Sequence, residues 1–258
     1  MNNLSLVRKL FITTIIVLSG LSSNAVSASA HSCPENNSAQ KIATVIGAAV
    51  SVDGGNPLYC EYHYLRPDEK KTLVEYRDID NQVFARKELD FSSSSLSPGV
   101  IQTDLRHNEL RAVEPIGSEQ LKVNYRKANT DKLKEKVLGY SSSTVVDAGF
   151  DKAIRQSWET LAAGEKIIVD FVSPVHLTSI KLSIKVSEGK LCRKYNKNES
   201  DDLCFLVRPN NAFANLFVKP LVLVYQRETQ RLLTFSGSVN VTDEEGASLK
   251  AVINYSYF

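Results

Sequence analysis

Apolar and polar residues alternate with a period of two through most of this chain, and this alternation constrains the fold more than any other feature. It is clearest in three runs, 120–126, 179–186 and 249–257. A strand with this pattern packs one face on a core and exposes the other, as strands of antiparallel sheets do. Turn signals rich in Gly, Pro, Asn and Asp separate the runs. The sequence therefore predicts a mainly β fold of the α+β class, built on a curved antiparallel sheet.

Two further segments depart from simple alternation. The segment 221–225 is continuously apolar, Leu-Val-Leu-Val-Tyr, which is typical of a strand covered on both faces. The segment 129–137 has lysines at every second position, and this spacing fits a strand as well as a helix. We therefore expect a doubly covered strand at 221–225 and leave the secondary structure of 129–137 open.

One stretch changes to the period of a helix. Apolar residues recur there at i, i+4, i+8 and i+11: Phe150, Ile154, Trp158 and Leu161. Asp147 is placed to accept hydrogen bonds from the first free N–H groups, and Gly164 is placed to end the helix in a left-handed conformation. The sequence therefore predicts one central amphipathic helix over 147–163, packed on the sheet.

The first thirty residues have the organisation of a signal peptide. A short polar stretch ends in Arg8-Lys9, an apolar run of about half the length of a membrane span follows, and Ala28-Ser29-Ala30 fits the small-x-small cleavage pattern. We therefore expect a signal peptide at 1–30 and a single β-rich domain at 31–258. No later stretch is long enough to cross a bilayer as a helix, so we expect a soluble periplasmic or secreted protein that does not span the membrane after cleavage.

An exported chain gives its cysteines a simple interpretation. The four are Cys33, Cys60, Cys192 and Cys204, an even set that allows three pairings in an oxidising compartment. Proximity in sequence favours the pairs Cys33–Cys60 and Cys192–Cys204. The alternative is a metal site, but no two cysteines have CxxC spacing and the four histidines are scattered. We expect two disulfides, no metal and no cofactor.

The charge of the expected mature domain is balanced. Arg8 and Lys9 are the only charged residues in 1–30, so 29 of the 31 basic residues remain against 29 acidic ones. A nucleic-acid-binding protein normally has a basic excess that displaces counterions from phosphates. We therefore expect no nucleic-acid partner.

The motifs of common enzymes are missing from the sequence. The nearest approach to the Gly-x-Ser-x-Gly turn of serine hydrolases, at 139–143, lacks the second Gly. Asp104 and His107 are close in sequence, but on a strand they would point to opposite faces. Phosphate loops, dinucleotide fingerprints and zinc-protease helices do not appear either. We therefore do not expect an enzyme, and we assign no catalytic residues.

Several short motifs resemble a family of uncharacterised exported proteins of Gram-negative bacteria. They include Gly149-Phe150-Asp151, Trp158, Gly164-Glu165 and the end of the chain from Phe235-Ser236-Gly237. The order of strands, a helix and further strands is also similar, more distantly, to the half-barrels of periplasmic lipoprotein carriers. That second likeness implies a half-barrel fold and a lipid-like cargo, although an analogy of fold carries function weakly.

Some predicted strands carry apolar residues on both faces, and one helix can cover only part of a second face. Uncovered apolar surface in a curved sheet makes a cavity for a lipid or other amphiphile; the alternative is that two sheets pack together and these residues are ordinary core. The aromatic candidates for such a ligand-binding wall are Trp158, Phe205, Phe213, Phe217, Tyr225, Phe235 and Tyr255. The simpler interpretation of Trp158 is a core anchor that holds the helix against the sheet, and a wall of a ligand cavity is the alternative. We expect non-catalytic binding of an amphiphile, with a cell-envelope interaction protein that has an envelope protein as partner, and then an enzyme, as alternatives.

Overall fold

The computed structural model describes residues 33–34, 42–53, 55–66, 70–211 and 219–258. These residues form a mainly β structure in one large, open, curved antiparallel sheet, which confirms the predicted fold class at that level. The expected signal peptide at 1–30 lies outside the described residues, so its cleavage and the domain boundary at 31 stay predictions. Among the described residues, no helix combines the length and the apolar character that crossing a bilayer requires.

The described strands all belong to one sheet. In chain order they are β1 (Val45–Ser51), β2 (Pro57–Arg66), β3 (Lys71–Arg77), β4 (Val83–Asp90), β5 (Gly99–Asp104), β6 (Glu109–Ile116), β7 (Gln120–Arg126), β8 (Lys134–Gly139), β9 (Thr144–Val145), β10 (Ile167–Ser173), β11 (Thr178–Val186), β12 (Asp202–Pro209), β13 (Leu221–Gln226), β14 (Leu232–Thr242) and β15 (Ser248–Tyr257). Their spatial order is β8-β7-β6-β5-β4-β3-β2-β1-β15-β14-β13-β12-β11-β10-β9. Neighbours are antiparallel except β9 and β10, which are parallel.

The connection between the two edge strands explains why the sheet curves. β8 and β9 lie at opposite edges, yet only residues 140–143 separate them. A flat sheet of this many strands is about 65 Å wide at about 4.8 Å per strand. The link from Gly139 to Thr144 spans at most about 18 Å. The sheet therefore has to curve until its two edges approach each other, and the N–H of Val146 donates to the carbonyl of Leu96 at 2.9 Å beside this junction.

Contacts between distant strands identify the inner face of the curve. The Tyr76 hydroxyl on β3 donates to Asn240 Oδ1 on β14 at 3.2 Å, although three strands lie between β3 and β14 in the sheet. Tyr76 belongs to an inner apolar cluster with residues of β1, β2, β4, β14 and β15. A second inner cluster joins β4–β7 to Val146 and to Val172 of β10. Both clusters close the curve by packing one part of the sheet against another.

Three short helices accompany the sheet: α1 (Gly149–Gln156), α2 (Trp158–Ala162) and α3 (Lys190–Tyr195). The single helix predicted over 147–163 is therefore not confirmed, because Ser157, at φ −103° and ψ 18°, leaves the helical conformation and divides it. Gly164 has the predicted left-handed conformation, at φ +86°. The open segment 129–137 enters strand β8 at Lys134.

Both predicted disulfides are present, and each attaches a short segment that covers the outer face of the sheet. Cys33–Cys60 ties the residues before β1 to β2, where the Tyr62 hydroxyl donates to the Pro34 carbonyl at 2.7 Å. Cys192–Cys204 ties α3 to β12. The pairing inferred from sequence proximity is confirmed, and two disulfides are consistent with an extracellular or periplasmic location.

Strand β13 is covered on both faces, as its continuous apolar sequence predicted. Val222 and Val224 pack outward in a cluster with Cys192 of α3. Leu223 and Tyr225 pack inward beneath α1 and α2. The two covers explain why four successive residues of this strand are buried.

Candidate functional site

Three aromatic rings meet where α1 and α2 cover the inner face of the sheet. Trp158 of α2 lies edge-to-face against Phe205 of β12 and Tyr225 of β13, with ring centroids 5.7 and 6.0 Å apart. Phe205 and Tyr225 contact each other at 5.7 Å. These separations are those of directly packed aromatic pairs. We call these three residues the aromatic patch, and all three were predicted as ligand-binding residues.

Strand register and helix periodicity bring the patch together. Leu203 is paired with Tyr225 and Phe205 with Leu223, so these four side chains share the inner face of β12 and β13. On the helices, Ile154 and Trp158 lie four residues apart and are buried on the side that meets the sheet. The helix-covered core is the whole cluster: Val145, Ala153, Ile154, Trp158, Leu161, Val169, Ile184, Leu203, Phe205, Val207, Leu223 and Tyr225.

The other predicted ligand-binding residues are distributed differently. Phe235 of β14 packs at the border between the helix-covered core and the neighbouring inner cluster. Tyr255 of β15 packs against that neighbouring cluster and not against Trp158. Phe213 and Phe217 lie outside the described residues. The structure thus brings three of the seven together, and ligand binding by any of them stays a prediction.

A polar contact adds to the apolar attachment of the helices. The Tyr225 hydroxyl donates to Asp151 Oδ1 of α1 at 3.0 Å, and Asp151 also forms an i,i+4 ion pair with Arg155 at 3.0 Å. Burial, and then the Asp151 carboxylate, raise the pKa of Tyr225 well above its usual value. The hydroxyl therefore keeps its proton and remains a donor to the helix.

A buried ion pair holds the chain at the start of the helices. Lys87 Nζ of β4 lies 2.8 Å from Asp147 Oδ1, and Asn240 Nδ2 of β14 donates to Asp147 Oδ2 at 3.2 Å. The predicted capping role of Asp147 is wrong: α1 begins after Ala148 without a side-chain cap. The physical reason is competition, because a buried ammonium attracts a carboxylate more strongly than free N–H groups do.

The same contacts extend to other strands. Tyr76 bonds to the Asn240 side chain, and Gln102 Nε2 of β5 donates to the Asn240 carbonyl oxygen. We call Tyr76, Lys87, Gln102, Asp147 and Asn240 the inner polar cluster. Sequence reasoning missed this cluster. Its one sequence signal is that Lys87 interrupts an otherwise apolar face of β4.

The ionisation states of the pair follow from its surroundings. Burial acts to lower the pKa of Lys87. The electrostatic interactions with Asp147 and Tyr76, together with the hydrogen bond to Asp147, outweigh burial and leave the pKa raised. Burial acts to raise the pKa of Asp147, but the charge and hydrogen bonds of Lys87 and Asn240 leave it lowered. Lys87 is thus an ammonium and not the neutral amine that a nucleophilic lysine needs. The pair is suited to holding two chain segments together.

A second buried polar group lies nearby around Glu61 of β2. Its carboxylate accepts from the Tyr255 hydroxyl at 3.1 Å and from the Tyr59 hydroxyl at 3.4 Å. His63 Nε2 lies 3.2 Å from Glu61 Oε2. Burial, followed by the charge of Glu61, raises the pKa of both Tyr59 and Tyr255, so both remain donors. The arrangement satisfies one buried carboxylate.

Neither the metal-ligating side chains of the described residues nor a surface depression near β8 adds to these sites. No three His, Cys, Asp or Glu side chains in this part of the chain are grouped to hold a metal ion. A shallow depression of about 350 Å³ is lined by residues 116–120 and Gly139, at the β8 side of the sheet. None of its lining residues belongs to the aromatic patch or the inner polar cluster.

No protein-family model, curated protein or solved structure matches this chain. The resemblance to exported Gram-negative proteins and the likeness to lipoprotein-carrier half-barrels therefore stay predictions. The functional argument rests on the geometry of the helices, the aromatic patch and the inner polar cluster.

Proposed function

We propose that this protein is a non-catalytic binding protein for a hydrophobic or amphiphilic, lipid-like ligand, which it holds between the helices and the inner face of β12 and β13. One observation carries the proposal. Phe205 and Tyr225 on the inner face are covered by α1 and α2, a short segment at 149–162, and not by another part of the sheet. Two short helices can move away without breaking any strand ladder, and their movement uncovers an apolar floor in a curved sheet.

The energetics of such an opening point to a long-chain ligand. Lifting the helices exposes Ile154, Trp158 and Leu161, at about 1.5–3 kcal/mol for each large side chain. An acyl chain gains about 0.8 kcal/mol for each CH₂ group that it buries. About twelve CH₂ groups gain about 10 kcal/mol, which exceeds the roughly 5–9 kcal/mol for the three side chains, whereas about eight gain about 6 kcal/mol and fall within that range. We therefore propose a ligand with an acyl chain of about twelve carbons or more.

The proposed location follows from the leader-like segment at 1–30 and the disulfides. A chain exported through that segment, with its cysteines oxidised, works in the periplasm or outside the cell as a soluble domain. Acyl-chain ligands in such compartments need a protein to shield them from water. The half-barrel likeness suggests the same class of cargo.

The single tryptophan makes the proposal directly testable. Trp158 lies in the aromatic patch and is the only Trp of the chain, so its fluorescence reports on this place alone. The protein, purified without detergent and delipidated, is titrated with palmitate, dodecanoate and octanoate. We expect saturable changes in emission and a dissociation constant at least tenfold weaker for octanoate than for palmitate. The absence of a saturable change with any of the three would refute binding at this site.

A matched pair of variants localises the ligand. Val207 and Val74 are both almost fully buried, but Val207 lies in the helix-covered core and Val74 in the neighbouring inner cluster. Both Val→Ala changes remove the same two carbons. We expect Val207→Ala to change palmitate affinity at least threefold and Val74→Ala to leave it unchanged. Native mass spectra and an organic extract of the untreated protein then show whether a natural ligand is retained.

A second candidate function, an envelope interaction protein without a small ligand, is favoured by the edge strand β8. Among the described strands it pairs with β7 alone, and most of its residues are exposed. The unpaired side of an edge strand can accept a strand from a partner protein. A photo-crosslinker at Val137, compared with one at the exposed Ile168 of β10, tests this in the exporting cell. A partner captured specifically at Val137, with no acyl ligand bound, would favour this second function.

A further inference from the structure

We infer that α1 and α2 form a hinged lid and that the Lys87–Asp147 ion pair is the latch that keeps it closed over Phe205 and Tyr225. The inference deepens the proposed function, because the lid would control access to the same site. The latch can nevertheless be tested without any ligand.

Two left-handed residues flank the lid and act as its hinges. Asp147, at φ +44°, precedes α1, and Gly164, at φ +86°, follows α2. A residue other than glycine rarely adopts this left-handed backbone conformation, so the surrounding structure has to maintain it at Asp147. A Cβ on Gly164 would meet no atom within 4 Å, so no neighbouring side chain crowds that hinge. Of the two hinges, Asp147 is the one whose side chain is held by other strands.

The latch connects the moving segment to strands that stay in place. Lys87 is paired with Val74 of β3 and Gln102 of β5, in the middle of the sheet. Asn240 holds the second carboxylate oxygen of Asp147 from β14. One carboxylate at the hinge is thus held from two separate strands, and rotation about Asp147 cannot begin until these bonds break.

The burial of Lys87 makes release of the latch unfavourable and so favours the closed lid. Lys87 is buried, and its ammonium also lies 5.8 Å from the centre of the Tyr76 ring. Removing Asp147 from it would leave a buried charge without its counter-ion, which is strongly unfavourable. The second polar attachment, from Tyr225 to Asp151, lies one turn further along and secures the lid itself. Ligand entry therefore has to release Asp147 first.

Acrylamide quenching of Trp158 measures lid opening in the protein without ligand. Lys87→Met removes the ammonium and keeps an unbranched side chain of similar size. We expect the quenching constant to rise at least threefold in this variant. Lys181→Met is the matched control, because Lys181 forms an exposed ion pair with Asp170 on the face of β11 opposite to the one that packs against the helices. We expect its quenching constant to equal that of the wild type.

General loss of stability must be separated from release of the latch. Val123→Ala on β7 destabilises another inner cluster, and two strands separate β7 from the β4 strand that carries Lys87. We therefore expect no increase in quenching at urea concentrations where this variant stays folded. Asp147→Asn provides a second route to latch release, since Asn also tolerates a left-handed conformation. Unchanged quenching in both Lys87→Met and Asp147→Asn, with the strands intact by far-ultraviolet circular dichroism, would overturn the latch.

Hydrogen exchange of the wild-type chain tests the lid independently of any variant. We expect amides of 149–162 to exchange at least tenfold faster than those of β12 and β13, which form the floor. Equal protection of the two groups would overturn the lid. Faster exchange of the lid without palmitate binding would keep the lid and refute the proposed function.

Discussion

The hydroxyl of Tyr255 donates to the Glu61 carboxylate at 3.1 Å, although strand β1 lies between the strands that carry them. Gly47 of β1 is paired with both residues, so the tyrosine side chain crosses the strand at the one position that has no side chain. A Cβ on Gly47 would lie 2.8 Å from the Tyr255 ring and 2.9 Å from Ile253. The hydrogen bond to the buried carboxylate thus depends on a glycine in the strand between its donor and its acceptor.

Gly47→Ala is therefore expected to lower the free energy of unfolding. The added methyl group displaces the Tyr255 ring, and overpacking of this kind costs about 1–3 kcal/mol. Urea unfolding followed by circular dichroism measures the change. Gly139→Ala is the control, because a Cβ on that strand glycine meets nothing within 4 Å. Equal losses of stability in the two variants would show that the close approach of Tyr255 is not the reason why position 47 requires a glycine.

The Lys87–Asp147 pair predicts a specific dependence of stability on pH. The charge and hydrogen bonds of Lys87 and Asn240 outweigh burial and hold the folded pKa of Asp147 below its unfolded value of about 3.9. Its contribution is therefore present above about pH 4 and lost as the pH falls through the lower folded pKa. We expect Asp147→Asn to lose about 3 kcal/mol at pH 7, because a buried ammonium is left without its counter-ion.

Urea unfolding of the wild type and of Asp147→Asn, between pH 3 and 8, measures this dependence. The difference between the two should shrink as the pH falls below 4, since a protonated Asp147 resembles an asparagine. Asp201→Asn is a suitable control, because the Asp201 side chain lies on an exposed loop and accepts hydrogen bonds from Asn198 and Ser200 of that loop. A difference that stays constant with pH would mean that the charge of Asp147 does not stabilise the fold.

The two disulfides are expected to act on separate parts of the molecule. The sequence separations are 12 residues for Cys192–Cys204 and 27 for Cys33–Cys60. Loop-closure entropy gives about 3 and about 3.5 kcal/mol for bonds of this kind. Replacing both Cys192 and Cys204 by Ala should increase hydrogen exchange in α3 and leave the sheet folded. Collapse of the whole sheet would show that α3 is required for the fold and does not merely cover it.

Trp158→Ala is expected to lower the free energy of unfolding by about 3–5 kcal/mol. The ring is 6% exposed and contacts both Phe205 and Tyr225, so truncation leaves a cavity beneath the lid. Circular dichroism in urea measures the loss, with Trp158→Phe as the smaller change. An unaltered urea midpoint together with a loss of palmitate affinity would assign the ring to a ligand-cavity wall and not to a core anchor.

The features that were predictable from sequence are those set by local periodicity and short separations. Alternation placed Ile180, Leu182 and Ile184 in one strand, and the continuous apolar run at 221–225 indicated a strand with two covers. The disulfide pairs followed from the proximity of their cysteines along the chain. The helical period located the segment with Trp158, but it gave no sign of the break at Ser157, because backbone conformation at one residue leaves no periodic signal.

The sequence by itself determined which residues face a core, because a side chain's face follows from its position along its own strand or helix. Tertiary structure alone decided which faces meet. Lys87 and Asp147 are 60 residues apart, and Tyr76 and Asn240 are 164 apart. These pairs form only because a sheet whose two edge strands are consecutive in the chain has to curve, and the curve encloses polar side chains that must then satisfy one another.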